Sequence, residues 1–210
     1  MPQHVPTICP VILAFDTSSA ACTAALFDGS GKCVARRDER IGRGHSERLV
    51  PMIAELLDGR AADRILVGVG PGSFTGIRVG IAAAHGLAIG WCAELAGMSS
   101  LALLAAGAEE DVAAAVIGGH GELFVQEFDA DHQPASALRN MLPEAAAEAT
   151  KARRVIGSGA QQLVAKRGWG EAEEAWPSAA DALELPEELR NLPPKPIYAR
   201  APDARAKEAA

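Results

Sequence analysis

The sequence predicts an α/β protein built as two similar lobes in tandem, each a mixed β-sheet with helices, the second lobe reduced. Three observations carry this reading. Short apolar runs bounded by turn residues alternate with longer stretches of helical character. The order β-β-β-α-β-α in the first half returns in shorter form in the second. The charge balance also changes near residue 108. Residues 1–107 hold 9 Lys or Arg and 9 Asp or Glu, whereas residues 108–210 hold 11 and 18, the source of the whole net charge of -7. A chain of 210 residues, 49% hydrophobic, is long enough for a real core.

Taken in order, VILAFD (11–16) is a buried strand ending in Asp. CTAALFD (22–28) and KCVARRDE (32–39) flank Asp-Gly-Ser-Gly, which reads as a hairpin turn. GHSERLVPMIAELLDG (44–59) is a helix with Ser46 as its N-cap, Gly59 as its stop and a slight kink at Pro51. RILVGVG (64–70) is another buried strand, followed by a glycine loop and a helix from about Thr75 to Trp91. SSLALLAAGA (99–108) is a short helix capped by Ser99 or Ser100. VAAAVIG (112–118) and ELFVQEFD (122–129) are two strands joined through GGHG, and RVIGSG (154–159) is a strand entering the helix AQQLVAKRG. Residues 171–196 read as loops and short helices. The lobes are therefore expected at 11–107 and 108–204, with residues 1–10 and 205–210 as flexible ends.

Bulk properties exclude several classes. An acidic chain is a poor solitary binder of nucleic acid, because phosphate contacts need clustered Lys and Arg. Cys9, Cys22, Cys33 and Cys92 form no CxxC pair and have no His at zinc-finger spacing. Reduced thiols and a cytoplasmic location are expected. MPQHVPTICP is not a signal peptide, and the apolar stretch from Ile77 to Leu95 is broken by Arg78, His85, Glu94 and three glycines, so no membrane span is expected. The histidines show no ligand spacing, and no bound metal is expected.

VGVGPGSFTGIRVG (67–80) poses the main chemical question. It lacks the Lys of a P-loop and the third glycine of a dinucleotide fingerprint. Two readings stay open. Gly70, Gly72, Ser73 and Thr75 hold a phosphate at a helix N-terminus, or the glycines make a turn while Ser73 or Thr75 caps the helix. The turn reading is ahead. Asp16, Thr17 and Ser18 pose the same alternative: a Mg²⁺–phosphate site, or a local side-chain turn.

Two helices carry more apolar or small residues than their own lobe requires. In SERLVPMIAELLD (46–58), Leu49, Ile53, Leu56 and Leu57, widened by Val50 and Met52, cover well over a third of the circumference. In the next helix, Gly76, Gly80, Ala84 and Ala88 form a row of small residues four apart, a pattern that lets another backbone approach closely, and Ile77 lies beside it. Both features read as deep packing or as a partner interface.

ILAFDTSSAACTAALFDG, GRGHSERLVPMIAELL, VGVGPGSFTGIRVGIAAAHGLAIG and GMSSLALLAA, in that order, resemble the TsaB (YeaZ) family, as does the closing PIYARAPDA. The resemblance covers 11–107 well and 112–204 loosely. It implies an actin/Hsp70/sugar-kinase (ASKHA) fold. It also implies a noncatalytic scaffold and activator in the complex that transfers a threonylcarbamoyl group to adenosine 37 of tRNAs reading codons beginning with A. TsaD, the catalytic subunit, is the implied heterodimer partner through the two helices above, and TsaE joins them. The resemblance also implies that tRNA is met only through the complex and that the same surface can form a homodimer when TsaD is absent. No cofactor is required, although ATP or ADP has a potential site at Asp16, Thr17, Ser18 and the glycine loop. TsaD-like enzymes carry an HxxxH metal pair where this chain has Ser100 and Leu104. IGGHGELF (117–124) lacks the basic segment common in the family, and His85 stands where Lys is common. A free-standing ASKHA kinase or ATPase is the alternative, with IGSGAQQL (156–163) as its second phosphate loop. A peptidase ranks last.

Overall fold

The computed structural model describes residues 10–198. The N-terminal extension, Cys9, most of PIYARAPDA and the C-terminal end lie outside the described residues. The first sheet contains β1 (Ile12–Asp16), β2 (Ala21–Phe27), β3 (Cys33–Arg40), β4 (Arg64–Gly68) and β5 (Glu94–Met98) in the order β3-β2-β1-β4-β5. The second contains β6 (Val112–Ile117), β7 (Leu123–Phe128), β8 (Arg139–Met141), β9 (Arg154–Ile156) and β10 (Glu171–Glu173) in the order β10-β9-β6-β7-β8. These are one topology twice. In each sheet the first three strands run as an antiparallel meander, and the last two add in parallel on the other side of the first. The α/β reading with two lobes of like topology holds, but the described residues after β10 pack back on the first lobe, so the second lobe does not take up the whole of the expected 108–204.

Strand alternation directs the first sheet to two cores. Leu13, Phe15 and Leu26 point to one face, where they meet α1 (His45–Leu57) and α2 (Phe74–Trp91). Ala14, Ala25 and Leu66 point to the other, where α3 (Ser100–Ala105) lies buried between the lobes against Val112 and Ala114. In the second lobe, Ala113, Ala115, Leu123 and Val125 pack on α4 (Pro143–Ala149) and α5 (Ala160–Arg167).

Residues after β10 return to the first lobe. A 3-10 turn at Ala179–Asp181 packs on β1, β2 and β3, and Ala179, Ala182 and Leu185 join the core that holds Ala14 and Leu66. α6 (Glu187–Arg190) follows. Leu192 then pairs with Gly97 through two backbone hydrogen bonds of 2.7 and 3.0 Å, and the Ile197 N–H donates to the Val69 carbonyl at 2.8 Å. This strap covers the open edge of β5.

Several local expectations change. Gly44, in the left-handed conformation, occupies the N-cap of α1, and the Ser46 hydroxyl instead donates to Glu47 at 2.8 Å. Asp58 ends that helix one residue before Gly59, and the helix runs through Pro51. Strands β5, β8 and β10 and helix α4 were not expected from the sequence. They are short, and three of them are the outer strands of their sheets.

Burial, and next the nearby Asp38 carboxylate, raise the Asp181 carboxyl above its ordinary value. The folded state therefore holds that proton more tightly than the unfolded chain does. The group's contribution is most favourable in acid, below the unfolded value, and is lost as pH rises through the folded value. Asp181→Asn is expected to raise the melting temperature at about pH 7, with the gain gone by about pH 3. Thermal melts at both values check this.

Candidate functional site

The end of β1, the turn after it and the glycine loop after β4 form one closed unit. Asp16, at the last position of β1, is fully buried. Its Oδ1 accepts from the Ser18 N–H and the Ser18 hydroxyl, both at 2.7 Å. Its Oδ2 accepts from the Ser100 hydroxyl at 2.5 Å. Ser100 in turn joins the glycine loop twice: its Oγ accepts from the Gly70 N–H at 3.1 Å, and its own N–H donates to the Gly70 carbonyl at 3.0 Å. One hydroxyl thus bridges the strand end, the loop and the start of α3. A buried carboxylate needs such donors, since unpaired charge is costly in the interior.

The loop closes on the turn from the other side. The Ser73 N–H donates to the Ser18 carbonyl at 2.6 Å, and the Thr17 hydroxyl donates to the Gly76 carbonyl at 2.7 Å. A Cβ at Gly72 would strike the Ser18 carbonyl, and one at Gly76 would strike the Thr17 carbonyl. The glycines therefore allow close backbone approach to the turn. Ser73 caps α2 by accepting from the Gly76 N–H at 3.2 Å.

The predicted phosphate residues therefore divide. Asp16, Thr17 and Gly70 face inward and are absent from the cleft lining. Ser18, Gly72 and Ser73 line a cleft between the lobes of about 1180 Å³. Thr75 is exposed on α2 and is absent from that lining. Both Asp16 oxygens accept internal hydrogen bonds. The cleft also takes in the β6–β7 turn and Ser158 from the glycine loop before α5.

Sequence reasoning missed the cleft's aromatic wall. Arg78 on α2 stacks over the Phe74 ring at 3.7 Å and donates to the Tyr198 hydroxyl from Nε and Nη2 at 3.1 and 3.0 Å. Phe74 and Tyr198 lie 5.9 Å apart, and Phe124 and Trp176 line the cleft from other segments. Phe74 and Arg78 are one helical turn apart, a spacing that could have flagged them. Tyr198 comes from the far end of the chain, which no local pattern announces.

The predicted interface residues need correction. Leu49, Ile53, Leu56, Leu57, Ile77, Gly80 and Ala84 are buried in the first lobe's own core, so in this structure they do not face a partner. A Cβ at Gly80 would meet the Thr17 hydroxyl at 2.6 Å, so that small residue serves packing beneath the turn. Val50 is 51% exposed. The outward row beside it holds Pro51 and Ala54 on α1, with Ala82, Gly86, Ile89 and Gly90 on α2. Ile89 is 80% exposed, and a Cβ at Gly86 or Gly90 would meet nothing.

The HxxxH positions implied by the resemblance hold buried Ser100 and Leu104. Among the described residues, no three His, Cys, Asp or Glu side chains gather as metal ligands, and no helix is long and apolar enough to cross a membrane.

Strand order and cleft together define a two-lobed α/β protein with one mixed-sheet topology in both lobes. Residues 38–181 match the family model described as TsaD: tRNA N6-adenosine threonylcarbamoyltransferase. The chain is 37% identical over 131 residues to the tRNA threonylcarbamoyladenosine biosynthesis protein TsaB of Escherichia coli, covering 57% of this chain and 55% of that protein. It is 36% identical over 126 residues to the TsaB protein of Haemophilus influenzae, covering 55% and 52%. The matches thus span about half the length of these curated relatives. The solved structure of YeaZ from Pseudomonas aeruginosa superposes with a TM-score of 0.77 at 29% identity, covering 90% of this chain and 99% of that one. A second Pseudomonas aeruginosa structure, described as similar to peptidase YEAZ, gives 0.79 at 29% identity, covering 91% and 100%. The chain belongs to the TsaD family and is similar, within it, to the TsaB (YeaZ) proteins.

Ser100→Ala strands both the Gly70 N–H and one Asp16 oxygen in the interior. It is expected to cost about 1–3 kcal/mol in urea unfolding. Gly76→Ala, driven against the Thr17 carbonyl, is expected to cost more than Ser100→Ala in the same measurement.

Proposed function

We propose that this chain is a noncatalytic scaffold and activator subunit of the cytoplasmic assembly that transfers a threonylcarbamoyl group to adenosine 37 of tRNAs reading codons beginning with A. Family membership and the curated relatives' names support the pathway. The noncatalytic role is supported by side chains already committed to structure. Asp16 accepts three internal hydrogen bonds, and Ser100 and Leu104 stand where TsaD-like enzymes place a metal pair. The subunit requires no cofactor of its own. Any ATP or ADP would meet Ser18, Gly72 and Ser73 without the Asp16 carboxylate.

The observation that carries the scaffold reading is the outward row on α1 and α2. Val50 and Ile89 are large exposed apolar side chains, set beside open space at Gly86 and Gly90. A helix stabilised only by its own lobe gains nothing from glycine at open positions, where Ala would be more favourable by about 1 kcal/mol. An approaching partner helix uses that space. The partner is a TsaD-type transferase, with a second copy of this chain taking the same row when it is absent. A TsaE-type ATPase and tRNA join within the assembly.

Size-exclusion chromatography with light scattering, on this chain alone and mixed with the TsaD-type protein of the same organism, tests the reading. A heterodimer that replaces any homodimer is expected. Ile89→Asp is expected to keep the melting temperature and weaken that heterodimer at least tenfold, a loss of about 1.4 kcal/mol. No complex at micromolar concentration overturns the scaffold role. Full binding by folded Val50→Asp and Ile89→Asp variants overturns its location.

A further inference from the structure

The cleft between the lobes has a chemical character of its own. Its wall carries Phe74, Phe124, Trp176 and Tyr198, with Arg78 stacked among them, and among the described residues no Asp, Glu or Lys lines it. That is unusual for a chain of net charge -7. Phe74 and Tyr198 are 57% and 52% exposed at its edge. The Ser73 and Ser18 segments supply polar groups beside them. Aromatic faces, a guanidinium and hydroxyls, without carboxylates, suit a planar ring joined to an anion.

The size of that anion follows from the charges. A nucleoside triphosphate brings several negative charges and ordinarily a divalent cation held by carboxylates. Among the described residues one guanidinium lines the cleft, and the Asp16 carboxylate is fully buried and hydrogen-bonded to Ser18 and Ser100. One Arg matches one phosphodiester. Resting on the proposed role in tRNA modification, we infer that this cleft receives a single unpaired nucleotide of an RNA strand. Its base stacks on the Phe74–Tyr198 wall, and its phosphodiester faces Arg78. Stacking of this kind is tolerant of base identity and requires that the base be free of a duplex.

Fluorescence anisotropy of the full chain with a labelled single-stranded oligoadenylate tests this, with an RNA hairpin duplex, AMP and Mg²⁺–ATP as competitors. The expected result is binding displaced by unlabelled single strand and, more weakly, by AMP, but not by the duplex. Phe74→Leu and Tyr198→Leu each weaken binding about tenfold with unchanged melting temperatures. Arg78→Ala weakens it by a similar factor and reduces the slope of log affinity against log salt by about 0.7. Arg78→Lys restores that slope without restoring full affinity. Absence of oligoadenylate binding at millimolar protein, or equal affinities for the parent and all folded variants, overturns the inference. Displacement by Mg²⁺–ATP at lower concentration than by AMP also overturns it, in favour of a triphosphate site. None of these results bears on co-elution with the transferase, so the two readings fail separately.

Discussion

The structure depends on the closure of the glycine loop over the turn that follows β1. Hydrogen bonds from Ser18 and Ser100 satisfy the Asp16 carboxylate, and Ser73 and Thr17 fasten loop to turn. This seal fixes where α2 begins. It therefore fixes which side of α2 enters the core and which side remains outside. It also forms part of the cleft floor through Ser18, Gly72 and Ser73. Glycine is required at Gly72 and Gly76 because peptide carbonyls occupy the space that a Cβ needs.

The second lobe repeats the device with different chemistry. A Cβ at Gly157 would strike the Ala115 carbonyl, and the Gly159 N–H donates to that same carbonyl at 2.9 Å. The seal there adds the Ser158 hydroxyl, which accepts from the Ile117 N–H at 3.1 Å, and among the described residues it has no buried carboxylate. The duplicated topology thus places two strand-to-helix loops opposite each other, and the cleft is the space between them. Its aromatic wall belongs to neither repeat alone. Phe74 and Arg78 come from the first, Phe124 from the second, and Trp176 and Tyr198 from the segment after both.

The long, strongly patterned elements were legible in the sequence. β1, β2, β3, β4, α2 and α5 follow from apolar runs, turn dipeptides and the Ser73 cap. β8 and β10 have three residues each and lie at sheet edges, so they carry almost no alternation. β5 contains Gly97 because the strap passes close to it, which weakened its strand signal. α4 offered a readable sign, Pro143 at its first turn followed by Glu and Ala. In the site, the sequence identified the loop and the turn but not that they fill each other, because that contact joins residues about 60 apart. The periodicity of α1 and α2 showed an apolar excess. It did not tell the inward row from the outward one, and the larger side chains proved to be the inward row.

The returning segment has a consequence for how the molecule is made. Ala179, Ala182 and Leu185 complete a core begun by Ala14, Ala25 and Leu66, and Leu192 supplies the hydrogen-bonding edge that β5 would otherwise leave open. The first lobe is discontinuous in the chain, with the second inserted in it. During synthesis its five strands emerge first, but the core beneath them stays open until the whole second lobe has left the ribosome. The unit whose folding can finish first is therefore the later of the two, and the earlier must wait with its apolar face uncovered.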